Sequence, residues 1–143
     1  MTIKKYGTAE WSGGIKDGKG NISTESGALK SQPYGFNTRF EDGAGTNPEE
    51  LIGAAHAGCF SMALSKILGE NDMTADTIET KATVSLDKKD GGFAVTSVHL
   101  DVKMKVSGGD AESAEEAAKT AKENCPISKL LNADISMDVK VEA

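Results

Sequence analysis

Residues 51–65 contain no Asp, Glu, Lys or Arg, and apolar or small residues fill almost every position. Just ahead of this stretch, Asn47 is a good N-cap and Pro48 suits the first helical position. Glu50 stands three residues after Asn47, as in a capping box. The pattern predicts a helix that starts at Asn47 and is capped at its far end by Gly69. A helix that is apolar all round has to be covered on every side. The apolar stretch is shorter than the ~20 residues a membrane span needs, and His56 and Ser61 interrupt it. It therefore reads as the central helix of a globular fold, with Cys59 inside it between Gly58 and Phe60.

The rest of the chain supplies strands and one amphipathic helix. Short strands are expected near residues 4–11 and 20–25, joined by Gly-rich turns. Tyr34, Phe36 and Arg39 follow in an irregular stretch. Residues 78–87 alternate, with Thr80, Ala82, Val84 and Leu86 on one face. Residues 93–106 alternate for longer, with Ala94, Thr96, Val98, Leu100, Val102, Met104 and Val106 on one side. Period two over that length predicts a half-buried antiparallel strand. Over residues 111–123, Ala114, Ala117, Ala118 and Ala121 make one helical stripe. Cys125 lies one turn further on that stripe, and Pro126 breaks or restarts the helix there. A last strand over residues 134–141 turns Ile135, Met137, Val139 and Val141 inward. The expectation is one α+β domain, residues 1–143, with antiparallel sheet packed around the buried central helix.

A chain of 143 residues can bury a core without disulfide staples. Its net charge of −6 and pI near 4.9 argue against a nucleic-acid partner, which needs a clustered basic face. It has no Lys/Arg run for an anionic membrane surface. The polar residues after Met1 are not a signal-peptide core, so the expected location is the cytoplasm. In a reducing cytosol two cysteines are not a structural staple.

The cysteines have two readings from residues alone. Each is a small buried hydrophobe, or Cys59 is a reactive thiolate, which requires a nearby cation. Arg39 is the only arginine among sixteen basic residues and sits between Phe36 and Phe40, an unusual place for a mere solubility charge. A third arrangement is a metal site, since His56 and Cys59 are i and i+3 on one helical face and Cys125 is a possible third ligand. A satisfied buried His56 accounts better for that spacing, and His99 belongs to the solvated face of its strand.

Three segments carry a resemblance. TNPEELIGAAHAGCFSMALS (residues 46–65) resembles the central-helix motif of the OsmC/Ohr family, and CPISKLL (residues 125–131) resembles its second motif. QPYGFNTRF (residues 32–40) is similar to the arginine-bearing segment of the OsmC branch. Gly58 departs from the alanine or other small residue of the motif, which weakens the helix slightly. The resemblance implies a thiol peroxidase acting on organic hydroperoxides and less well on hydrogen peroxide. It implies Cys59 as the attacking and Cys125 as the resolving cysteine, with Arg39 and Glu49 as the polar pair. Arg39 would depress the Cys59 pKa and Glu49 would aim the guanidinium. Phe36, Phe40 and Phe60 would line an apolar approach for substrate, while Met62 is expected to pack in the core. An external dithiol, of the lipoyl type among others, would regenerate the thiols; no cofactor and no metal are implied.

One distance bears on assembly. Glu49 and Cys59 are ten residues apart, about 15 Å along a continuous helix, too far for their side chains to meet in one chain. Two central helices packed antiparallel in an intertwined homodimer would bring the Glu49 end of one to the Cys59 region of the other. The alternatives are a dimer that binds a small ligand without catalysis, the His/Cys metal site, and a thiol–disulfide oxidoreductase, which lacks the usual Cys-x-x-Cys.

Overall fold

The computed structural model describes residues 1–143, which divide into two compact units, Met1–Leu51 and Ile52–Ala143. The first holds strands β1 (Gly7–Ser12), β2 (Lys19–Thr24) and β3 (Gln32–Tyr34), paired antiparallel in that order. The stretch expected to be irregular is ordered: β3 leads into a short helix α1 (Phe36–Phe40). Thr38 makes that turn possible, its hydroxyl accepting from the Gly35 N–H at 2.8 Å and donating to the Gly35 carbonyl at 3.0 Å. Gly45, at φ +132°, then passes so close to Pro33 that a Cβ would collide with the Pro33 carbonyl oxygen. The Asn47 side chain accepts from the Glu50 N–H at 2.8 Å and donates to the Thr38 carbonyl at 3.0 Å, so one residue caps the next helix and ties it to α1.

That helix, α2 (Pro48–Glu70), is longer than its apolar stretch. Gly69 does not cap it. Met73 N–H reaches back to the Leu68 carbonyl and Asp72 N–H to the Gly69 carbonyl, with Asp72 at φ +60° in the left-handed position. This is a Schellman closure with aspartate where glycine is usual. By length and composition alone α2 could cross a membrane, but core helices of soluble proteins pass the same test. Nor is it buried on every side. Gly53, His56, Phe60, Leu64 and Leu68 form a buried stripe, while Ala54, Ala55, Gly58 and Met62 are exposed.

The second unit packs that stripe on the sheet β4 (Thr74–Lys89), β5 (Gly92–Ser107) and β6 (Asp134–Glu142). Gly53 allows the approach, since a Cβ there would lie 3.0 Å from the Ala82 carbonyl oxygen; Ser61 and Thr80 share a hydrogen bond of 2.8 Å. β4 and β5 form an antiparallel hairpin, and Val98, Leu100, Val102, Met104 and Val106 are buried as the alternation requires. The pairing shifts register at two points, leaving Asp76 unpaired on β4 and breaking the alternation of β5 once. Ser85 pairs with Ser97 but Leu86 pairs with Val95, leaving Thr96 as a bulge. Beyond it Val95, not Ala94, shares the face of Leu86. Ala94 pairs with Asp87, whose carboxylate accepts from the Thr96 hydroxyl.

β6 joins β5 in parallel, not antiparallel as expected. The connection through α3 (Ala111–Asn124) and α4 (Pro126–Leu130) is long enough for the crossover that parallel pairing needs. Asp110 caps α3, accepting from the Ser113 N–H at 2.8 Å, and Ala114, Ala117, Ala118 and Ala121 bury its stripe. Four alanines let helix and sheet approach closely. Cys125 ends α3 and caps α4, with Pro126 at the first helical position, so the helix restarts there.

Candidate active site

In the first unit α1 presents Arg39 and the first turn of α2 presents Glu49. Arg39 donates from Nε to Glu49 Oε1 at 2.9 Å and from Nη2 to Oε2 at 3.0 Å, a two-pronged pair of fixed direction. The Arg39 side chain remains 38 % exposed against 13 % for Glu49, so the guanidinium keeps a free edge while the carboxylate is covered. The guanidinium carbon stands 5.5 Å from the Phe40 ring centroid, and Phe40 lies 5.0 Å from Phe36. The expected polar pair and two of the three expected aromatic residues therefore come together.

In the second unit the thiols come together. Both cysteines are free; Cys59 is half-buried and Cys125 fully buried. Burial pushes the Cys59 thiol above its ordinary range, the neighbouring Cys125 adds to that, and the backbone of Ile127 opposes it through a hydrogen bond. The expected depression of the Cys59 pKa is thus reversed in the single chain, because these surroundings supply no cation to outweigh desolvation. Phe60 is fully buried in the core, so within the chain it backs Cys59 and lines no open approach. Met62, expected in the core, is 78 % exposed.

Two residues beside Cys125 complete the cluster. Cys125 Sγ accepts from the Ser128 N–H at 3.3 Å and lies 3.1 Å from Ser128 Oγ. Ser128 Oγ in turn is 2.8 Å from His56 Nε2. His56 is fully buried, its Nδ1 has no hydrogen-bond partner, and burial lowers its pKa. His56 was legible as a buried histidine, but the Ser128 contact was not. Its one sequence signal is the Cys-Pro-x-Ser spacing, which puts the serine three residues after an N-cap. His99, expected to be solvated, stands on the outer sheet face and contacts Ser136 Oγ at 2.6 Å and Asp138 Oδ2 at 3.1 Å.

The chain has relatives. Residues 41–140 match the family described as OsmC-like protein. The chain is 56 % identical over 143 residues to Peroxiredoxin OsmC of Escherichia coli (strain K12), covering 100 % of both chains. It is 36 % identical over 124 residues to Organic hydroperoxide resistance protein OhrB of Bacillus subtilis (strain 168), covering 86 % of this chain and 88 % of that one. The crystal structure of B. subtilis OhrB superposes with a TM-score of 0.70 at 30 % identity, over 94 % of this chain and 98 % of that one. With the family matched over most of its length and a relative aligned from end to end, the chain belongs to the OsmC-like family.

Proposed function

We propose that the chain is a cysteine-based peroxidase that reduces organic hydroperoxides to alcohols, and hydrogen peroxide less well. Residues 1–143 act as one OsmC-like domain of an intertwined cytoplasmic homodimer. The observation that carries this reading is the juxtaposition of two free thiols, one half-exposed and one buried, close enough to perturb each other. The names of the relatives, a peroxiredoxin and an organic hydroperoxide resistance protein, agree with it.

In the first half-reaction the Cys59 thiolate attacks the terminal oxygen of the hydroperoxide. The O–O bond breaks, the sulfur is oxidised to a sulfenic acid, and the alkoxide takes a proton to leave as alcohol. Cys125 then attacks the Cys59 sulfur. The S–S bond forms, the S–O bond breaks, and water leaves. An external dithiol, of the lipoyl type among others, reduces the disulfide by exchange. Phe36 and Phe40 form an apolar wall that favours alkyl and aryl peroxides.

The assembly supplies what the single chain lacks. A Cys59 thiol pushed up by burial is a poor nucleophile at neutral pH, and it needs a cation. Arg39 has a free guanidinium edge, and Glu49 lies about 15 Å from Cys59 along α2. A second copy of α2, packed antiparallel on the exposed Ala54–Ala55–Gly58–Met62 face, would carry its own Arg39–Glu49 pair to Cys59. Gly58 leaves that face open, since nothing lies within 4 Å of where its Cβ would be.

The test is steady-state turnover of an organic hydroperoxide and of hydrogen peroxide with candidate dithiols. Cys59→Ser is expected to remove turnover by about a thousandfold or more, as loss of a nucleophile does. Residual turnover within tenfold would end the proposal, whereas survival of small-ligand binding alone would favour the non-catalytic dimer. Mixing inactive Cys59→Ser with inactive Arg39→Ala subunits is expected to restore activity if the sites are shared. No recovery after confirmed subunit exchange would refute the sharing.

A further inference from the structure

The buried imidazole of His56 has no part in the cycle just described, yet it is one hydroxyl away from the resolving sulfur. Its Nε2 is 2.8 Å from Ser128 Oγ, and Ser128 Oγ is 3.1 Å from Cys125 Sγ. His56 and Cys125 are fully buried and Ser128, at 8 % exposed, is the least covered of the three. His56 Nδ1 has no partner. A histidine kept only to fill space would gain by pairing both nitrogens or by being replaced with an apolar residue.

We propose that Ser128 and His56 form a proton relay that activates Cys125 for the resolving step, Ser128 as the catalytic contact and His56 as the positioning residue behind it. The inference rests on the peroxidase reading, in which Cys125 resolves a Cys59 sulfenic acid. In the reduced protein the neutral imidazole accepts the Ser128 hydroxyl proton at Nε2, which turns the Ser128 oxygen toward the Cys125 thiol as an acceptor. As Cys125 attacks, its proton passes to Ser128 Oγ and the Ser128 proton passes to His56 Nε2. The new S–S bond takes the electron pair of the Cys125 sulfur, which is oxidised. The Cys59 sulfur is reduced as its S–O bond breaks, and hydroxide leaves. The imidazolium returns its proton through Ser128 to water, which balances the hydroxide, so the sum is sulfenic acid plus thiol to disulfide plus water.

The surroundings suit transient use of the imidazole. The strand faces turned into this core carry Thr80, Ala82, Val84, Val98 and Leu100, and α3 contributes its alanine stripe. Lys129 of α4 is exposed, and the titratable side chain at the far end of the row from His56 is Cys125. Burial disfavours a lasting imidazolium, so the base accepts a proton during attack and gives it up quickly. Without the relay, Cys125 must lose its proton unaided, and an ordinary thiol (pKa about 8.5) is a few per cent ionised at pH 7.

The experiment is a single-turnover rapid quench of the intact protein with tert-butyl hydroperoxide, from pH 6 to pH 9. It follows Cys59 sulfenic acid by dimedone trapping and the Cys59–Cys125 disulfide by mass spectrometry. In the unsubstituted protein the disulfide step is expected to be nearly flat with pH. In Ser128→Ala and His56→Gln it is expected to slow at least tenfold at pH 7 and to climb about tenfold per pH unit toward the thiol's own pKa. Ser128→Thr, which keeps the hydroxyl, restores the flat profile. A disulfide step unchanged within twofold in Ser128→Ala overturns the relay. So does a uniform slowing with the pH profile intact, which is what lost packing alone would give. If the unsubstituted protein forms no sulfenic acid, the peroxidase reading itself fails and takes the relay with it.

Discussion

The two units of this chain use their apolar residues in opposite ways. In Ile52–Ala143 most of the large apolar side chains converge on one core, with Phe60, Leu64, Leu68, Val98 and Leu100 fully covered and Met62, Phe93 and Leu130 left exposed. In Met1–Leu51 the buried residues are Gly35, Thr38 and Thr46, none with a large apolar side chain, while Ile3, Tyr6, Trp11 and Ile15 are exposed. A three-stranded sheet without a covered face is marginal in water. The first unit is held by its ladder, the Trp11–Tyr34 ring contact at 5.5 Å and a web of caps around Arg39 and Glu49. The second is held by packing. The difference suits the roles proposed above: a packed core can desolvate a thiol pair, and a hydrogen-bonded loop can aim a guanidinium whose edge stays free. In the dimer proposed above, the exposed face of α2 would find cover on a second copy.

The sharpest way to break this contrast is to hollow the packed unit. Leu64→Ala is expected to cost about 2–5 kcal/mol in a denaturant titration, because a fully buried leucine leaves a cavity that neighbours fill only in part. A loss below about 1 kcal/mol would mean that the core does not carry the unit. The next test concerns the exposed face. Met62→Glu is expected to weaken a homodimer at least tenfold, about 1.4 kcal/mol, read by sedimentation equilibrium, and to lower turnover with it. An unmoved association constant would take that face out of the interface.

A third expected effect is a pH dependence. Folding lowers the His56 pKa, so below the unfolded value the unfolded chain binds more protons than the folded one. The stability from neutral, buried His56 is therefore complete above about pH 6.5 and is lost as pH falls toward the folded pKa. The slope is at most about 1.4 kcal/mol per pH unit. His56→Gln should flatten that stretch of the stability curve; a slope that persists would assign it to other groups. The smallest effect belongs to the first unit. Ile15→Ala, at 70 % exposure, should change folding stability by no more than about 0.5 kcal/mol by thermal melting, and a larger loss would show that this unit hides a core after all.

Much of this arrangement is written locally. The Asn47 cap, the alanine stripe of α3, the restart at Pro126 and the long alternation of β5 all follow from neighbours within a turn or a pleat. Where expectation and fold part, a distant residue intervenes. α1 forms because Thr38 closes on Gly35 and Asn47 reaches the Thr38 carbonyl. The Thr96 bulge turns Ala94 outward because β4 sets the register beyond it. β6 runs parallel because it returns across the sheet after two helices. Of the candidate site, the thiols, Arg39 and Glu49 were singled out through the resemblance of their segments to the OsmC/Ohr motifs. Ser128 was not, because only the fold brings it to His56, 72 positions away.

Composition and periodicity alone set out most of the elements, because helix caps, stripes and pleats are short-range matters of backbone hydrogen bonds and side-chain direction; they leave each cysteine either a buried hydrophobe or a reactive thiol. Only the folded chain decides the state of those residues. Burial raises the Cys59 pKa where an arginine was expected to lower it, the single chain leaves half of an apolar helix uncovered, and packing sets an unpaired imidazole behind the Cys125 sulfur. Desolvation and long-range contact depend on what surrounds a group in space, and a sequence lists only what precedes and follows it.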